Sequence, residues 1–153
     1  MHSAHNQHYH HLLIMIFLSF IAMFVLMYAM VDIFSNVYVN INQFYMAGLM
    51  TVPMVLIELA VMRSMYTNPK VNIVLVVISV VAFIFFFTGI RQQLAVTDTQ
   101  FLRSMIPHHA GAILMCEKAL IEDQDIKTLC ASIIEGQRAE IADMKTKLSA
   151  LTG

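Results

Sequence analysis

Soft metal ligands are concentrated in one stretch near the C-terminus of the sequence. Met105, His109 and Cys116 follow one another at spacings of four and seven residues, which puts them on one face of a helix. His108 and Met115 lie seven residues apart on the adjoining flank. Thioether and thiolate sulfur select Cu(I), and imidazole suits copper and zinc. A soft-metal site is therefore one interpretation of this pattern, suited to Cu(I) with zinc and silver as alternatives, and packing of these side chains in a core is the other.

An antiparallel helical hairpin is expected to position these ligands. Thr97, Asp98 or Thr99 begins the first helix, and Pro107 either kinks this helix or restarts it. The polar stretch 122–125 ends it, and so short a break folds a second helix back on the first. The predicted inner faces are Phe101, Met105, His109, Ala112, Cys116 and Ala119, and Ile126, Cys130, Ile133, Ile134, Gln137, Ile141, Met144 and Leu148.

Folding the hairpin about Asp123 brings specific residues of the two helices together. His108 and Met115 are expected to converge with the inner face, which completes a site of Met, His and Cys ligands. A packing interpretation competes with this site, because Met readily fills gaps in a core. The expected facing pairs are His109 with Gln137, Met105 with Ile141 and Met144, and Cys116 with Cys130.

The two cysteines leave three alternatives open. Cys116 and Cys130 can pack as small apolar side chains. They can form a disulfide if their Cα atoms come within about 7 Å of one another. They can also act as a pair of thiolate ligands.

Most of the remaining chain is apolar enough for a membrane. The 153 residues are 59% hydrophobic and 12% charged, with a mean hydropathy of +0.72, whereas soluble domains are about one quarter charged. Three apolar runs are each long enough to cross a hydrocarbon core of about 30 Å. The predicted spans are 12–31, 44–62 and 71–90, between a His-rich tail at 1–11 and a hairpin metal-binding domain at 91–153. The tail could bind metal weakly through His2, His5, His8, His10 and His11.

The basic residues of the loops predict an orientation. The loop 63–70 carries two Lys or Arg residues and the loop 32–43 carries none, so the former is placed in the cytoplasm. The hairpin domain then lies in the periplasm or at the outer surface of a bacterial inner membrane, although Arg91 and Arg103 argue the other way. A retained first helix is favoured over a signal peptide, because no Lys or Arg precedes the run and no small-residue cleavage site follows it.

The second span carries its own row of thioethers. Met46, Met50, Met54 and Glu58 are each four residues apart. Packing in lipid is one interpretation, and a soft-metal relay is the other. A carboxylate within a membrane is costly and often functional, but Glu58 is also close enough to the interface to reach it.

Other classes of function find little support in the sequence. A net charge of −1 gives no electrostatic basis for nucleic-acid binding. No nucleophile elbow, zinc-protease motif or phosphate loop is present, so no enzyme is predicted. Two helices cannot bury both of their faces alone. A four-helix bundle built from two chains would do so, and packing against the membrane helices would also serve. A homo-oligomer is therefore expected, with a dimer favoured over a trimer.

The strings FLRSMIPHHAGAILMCEKA and IIEGQRAEIADMKTKL resemble the domain-of-unknown-function family 305 over residues 98–151. The apolar region resembles the three-span members of that family. The resemblance implies an all-α, ferritin-like bundle and a membrane-anchored protein of bacterial copper homeostasis or resistance. A Cu(I) transporter is the alternative, because the Met-x3-Met spacing also resembles eukaryotic copper transporters. The matching residues are Met105, His108, His109, Ala112, Ile113, Met115, Gln137, Glu140, Ile141 and Met144, whereas Cys116 and Cys130 depart from the family pattern.

Overall fold

The computed structural model describes the backbone of residues 2–153 and the side chains of residues 7–153. Over these residues the chain is all-α and contains no strand, which confirms the all-α part of the predicted fold. Two short 3-10 turns, Met27–Met30 and Phe34–Asn36, follow the first helix. The five α-helices are α1 at His2–Leu26, α2 at Ile41–Val61, α3 at Pro69–Arg91, α4 at Asp98–Lys118 and α5 at Gln124–Thr152.

The helices divide into two compact units. The apolar unit contains α1, α2 and α3 and extends to Leu94. The hairpin unit contains Met27–Ile41 together with Ala95–Gly153. The boundary near residue 95 lies close to the predicted one. The inclusion of Met27–Ile41 in the hairpin unit was not predicted, because nothing in the composition of this loop separates it from an ordinary connection.

The apolar unit has three helices long and apolar enough to cross a membrane. They are Gln7–Met30, Ile41–Val61 and Pro69–Arg91, in agreement with the three predicted runs. Helix α1 begins at His2, so the segment predicted as a separate tail is helical from there. The side chains of His2 and His5 lie outside the described residues, while His10 and His11 are exposed.

Small residues allow close packing inside the apolar unit. A Cβ atom on Gly48 would collide with the ring of Phe86, and one on Gly89 would lie 3.0 Å from the ring of Tyr45. The hydroxyl of Tyr45 donates to the carbonyl of Leu94 at 2.8 Å. Glycine thus brings the helices close enough for aromatic rings to pack across them, as is common in membrane bundles.

A polar network satisfies Glu58 near the loop that joins α2 to α3. The buried Tyr66 donates its hydroxyl to Oε1 of Glu58 at 3.1 Å. Burial, followed by this hydrogen bond, raises the pKa of Tyr66 above its ordinary value of 10.0. Tyr9 donates to Oδ1 of Asn72 at 2.8 Å, and Asn72 donates to the carbonyl of Tyr66 at 2.6 Å. The carboxylate of Glu58 therefore has a hydrogen-bond partner.

The helical hairpin begins and turns where the sequence predicts. Thr97 caps α4 by accepting from the backbone N–H of Gln100, and α4 continues through Pro107 without restarting. The side chain of Asp123 caps α5 by accepting from the backbone N–H groups of Asp125 and Ile126, at 2.9 and 3.0 Å. An N-cap at this position separates the two helices and sets the fold-back point.

The core of the hairpin unit uses a different face of α4 from the predicted one. Phe101 is half exposed and Ala119 is exposed, so the predicted inner face is wrong at both ends. On α5 the second half of the predicted face is confirmed, whereas Ile126 is exposed. Met105 packs against the core from its edge. The buried cluster is Leu102, Ile106, Ala110 and Ile113 from α4, with Ile141, Met144 and Leu148 from α5.

The segment Met27–Ile41 explains this rotation of α4. Asn40 donates to the carbonyl of Arg103 at 3.4 Å, and the backbone N–H of Ile41 donates to Oε1 of Gln100 at 2.9 Å. A Cβ atom on Gly111 would lie 3.4 Å from the carbonyl oxygen of Met30. Because α5 covers one side of α4 and this segment covers another, the buried stripe lies between the two.

Candidate metal site

His109 is held on the half-buried side of the hairpin by a carboxylate from the facing helix. Its Nδ1 lies 2.9 Å from Oε2 of Glu140. This close contact does not have the geometry of a hydrogen bond. The side chain of His109 is 15% exposed and that of Glu140 is 57% exposed. Glu140 thus lies on the Nδ1 side of the ring, and a metal bound by this histidine would take Nε2.

The sequence predicted Gln137 as the residue facing His109, and the carboxylate found beside its ring is that of Glu140. Glu140 takes this place one helical turn further along α5, on the same face of the helix. The sequence offered a signal for this residue, since Glu140 belongs to the string that resembles the known family. A carboxylate that orients a histidine commonly tunes a metal ligand.

Met105 lies one turn before His109 on α4. It is half buried and packs against the core cluster that contains Ile141 and Met144, as the predicted pairing requires. Met144 is itself a core residue, 9% exposed. The thioether of Met105 therefore lies at the edge of the core, on the same half-buried side of the helix as the His109 ring.

His108 and Met115 do not join this group. His108 is exposed, and Met115 is 55% exposed. The helix turns by about 100° per residue, so successive side chains such as His108 and His109 diverge. The two rings still touch edge to face, with their centroids 5.9 Å apart. The expectation that both flanks converge on the inner side of the hairpin is thus wrong for these two residues.

The structure contains the disulfide alternative for the two cysteines. Cys116 and Cys130 are bonded, with their Cα atoms 5.3 Å apart. This bond confirms the prediction that Cys116 and Cys130 face one another. A separate ion pair between the helices joins Arg138 to Glu117 at 2.7 Å. A metal binds the thiolate, so the expected role of Cys116 and Cys130 as thiolate ligands does not hold while the bond is intact.

The thioethers of α2 form a separate group within the apolar unit. Met46 is 38% exposed, while Met50 and Met54 are half buried. Their four-residue spacing on an unbroken helix gives the predicted row. A soft-metal relay through this row stays a prediction.

The ligand chemistry of the His109 group matches a soft, low-coordinate metal. No group of three or more His, Cys, Asp or Glu side chains suited to a metal occurs among the described residues, so no closed tetrahedral zinc site is formed within that part of the chain. Met105 and His109 instead combine a thioether with an imidazole, and thioethers select Cu(I). The residues present therefore fit Cu(I) better than zinc.

The chain is therefore an all-α protein that contains three apolar helices and a helical hairpin, and Met105 and His109 lie on the first helix of the hairpin. Residues 88–148 match the model of a known family, the domain of unknown function DUF305. The chain is also similar to an uncharacterized protein of Acanthamoeba polyphaga mimivirus, with 29% identity over 140 residues and 90% of each chain covered. No solved structure matches it.

Proposed function

We propose that this chain is a membrane-anchored Cu(I)-binding protein of metal homeostasis or resistance, with no catalytic role. Met105 and His109 are the proposed ligands, and Glu140 is the residue that orients His109. The observation that carries the proposal is the paired imidazole. Its Nδ1 lies 2.9 Å from a carboxylate oxygen, which leaves Nε2 for a metal one helical turn from a half-buried thioether.

Cu(I) titration of the detergent-solubilised full chain against a competing chelator tests this proposal. His109→Ala and Met105→Ala are each expected to weaken Cu(I) binding about 10-fold or more, which corresponds to about 1.4 kcal/mol. Zn(II) is the control metal, because a thioether is a poor ligand for it.

The hairpin supplies matched control variants. His108→Ala and Met115→Ala remove the same side-chain types from exposed positions on the same helix. Both are expected to keep wild-type affinity. Equal losses in all four variants, or no loss in any of them, would count against a site at Met105 and His109.

We further propose that the hairpin unit lies outside the cytoplasm. Three helices suited to cross a membrane put Met27–Ile41 and the C-terminal hairpin on the same side, as their packing into one unit requires. The disulfide Cys116–Cys130 supports an oxidising compartment. The two basic residues of loop 63–70 support a cytoplasmic position for that loop.

A ferritin-like bundle assembled from two chains is the corresponding proposal for the oligomer. Phe101 and Leu151 are 50% and 54% exposed, so apolar surface remains at the end of the hairpin where α4 begins. Met27–Ile41 already covers part of α4. The apolar surface that a second chain would bury is therefore smaller than the sequence suggests.

A further inference from the structure

The disulfide lies at a different level of the hairpin from the His109 group. Cys116 follows His109 by seven residues, a rise of about 10 Å along a helix. Ile113, which is 1% exposed, occupies the turn between them. Two helical turns of α4 therefore separate the disulfide from the His109 group.

We propose that reduction of the Cys116–Cys130 disulfide creates a second Cu(I) site, made of these two thiolates and separate from the His109 group. Thiolates are soft ligands that select Cu(I). In the oxidised chain the same sulfur atoms are bonded to one another and offer no thiolate. The second site therefore exists in one redox state only. This second site is additional to the proposed function, and it depends only on the two cysteines.

The proposed reductant of the disulfide is a small monothiol of the glutathione class. Two monothiol molecules each give up one hydrogen atom and join in a new S–S bond, while the Cys116–Cys130 bond breaks. The two hydrogens end on the cysteine sulfurs as thiols. Cu(I) then displaces both protons to solvent and forms two S–Cu bonds, and neither copper nor sulfur changes oxidation state in this binding step.

The helices hold the two side chains at a suitable separation for this site. The Cα atoms are 5.3 Å apart. Two metal–thiolate bonds in line, each about 2.3 Å as for zinc, span about 4.6 Å. Rotation of the two side chains provides this spacing while the helices stay in place. Both cysteines are half buried, so a small thiol can reach the bond and water is partly excluded from the site.

Cu(I) titration of the oxidised and reduced full chain, after removal of the reductant under anaerobic conditions, tests the proposal. The reduced protein is expected to bind one more Cu(I) per chain than the oxidised protein. Thiolate-to-copper charge-transfer absorption in the ultraviolet is expected to rise with this additional ion. The double variant Cys116→Ser/Cys130→Ser is expected to lose both effects, whereas His109→Ala keeps them.

Alkylation of the reduced wild-type thiols gives a second way to block the site if the double variant does not fold. Equal Cu(I) stoichiometry in the two redox states would overturn the proposal. An additional ion that persists after both thiols are blocked would overturn it as well. Copper bound by the oxidised chain reports on the His109 group separately, so failure of the proposed function and failure of this second site are distinguishable.

Discussion

At the scale of single residues, the carboxylate of Glu140 lies beside Nδ1 of His109, the proposed Cu(I) ligand. Glu140→Gln keeps the shape of the side chain and removes the charge beside Nδ1 of His109. Loss of a residue that orients a metal-binding histidine commonly weakens metal binding about 10- to 100-fold. We expect a loss of Cu(I) affinity in this range, measured by chelator competition. Glu135→Gln, at an exposed position on α5, is the matched control, and equal affinity in the two variants would contradict the role of Glu140.

At the scale of elements, the structure predicts which face of α4 carries the stability of the hairpin. Ile106 is fully buried, whereas Ile126 on α5 is 49% exposed. Ile106→Ala is expected to cost about 2–5 kcal/mol, because it leaves a cavity in the core, and Ile126→Ala much less. Hydrogen exchange of the α4 and α5 amides in the detergent-solubilised full chain measures the difference. Similar protection in the two variants would indicate that the face of α4 that contains Phe101 is the core face instead.

The same elements show how far the sequence determines the fold. Helical periodicity and the caps at Thr97 and Asp123 were sufficient to predict the hairpin and its turn, since these signals are local. The fold-back point was enough to predict that Cys116 and Cys130 face one another, whereas the choice between a disulfide, packed thiols and thiolate ligands was left open. The core face of α4 was not predictable in this way, because it depends on Met27–Ile41, which is distant in sequence and has no amphipathic pattern of its own. The prediction for His108 failed for the same reason, because rotation of the buried face of α4 leaves this residue exposed.

At the scale of the whole molecule, the division into two units predicts a membrane topology. Three crossings put Ser35 and Ser132 on one side and Ser64 on the other, and all three are exposed. Each serine is changed singly to cysteine in a Cys116→Ser/Cys130→Ser background and labelled in intact cells with a membrane-impermeant maleimide. We expect labelling at positions 35 and 132, and labelling at position 64 only after permeabilisation.

Each outcome of this labelling has a distinct structural meaning. The reverse pattern would keep the three crossings and invert the orientation, because two basic residues in loop 63–70 are a weak determinant. Unlike labelling at positions 35 and 132 would be incompatible with the packing of Met27–Ile41 against α4, since the two parts of the hairpin unit would lie on opposite sides of the membrane. Agreement between these two positions thus tests the hairpin unit itself, and position 64 tests which compartment contains it.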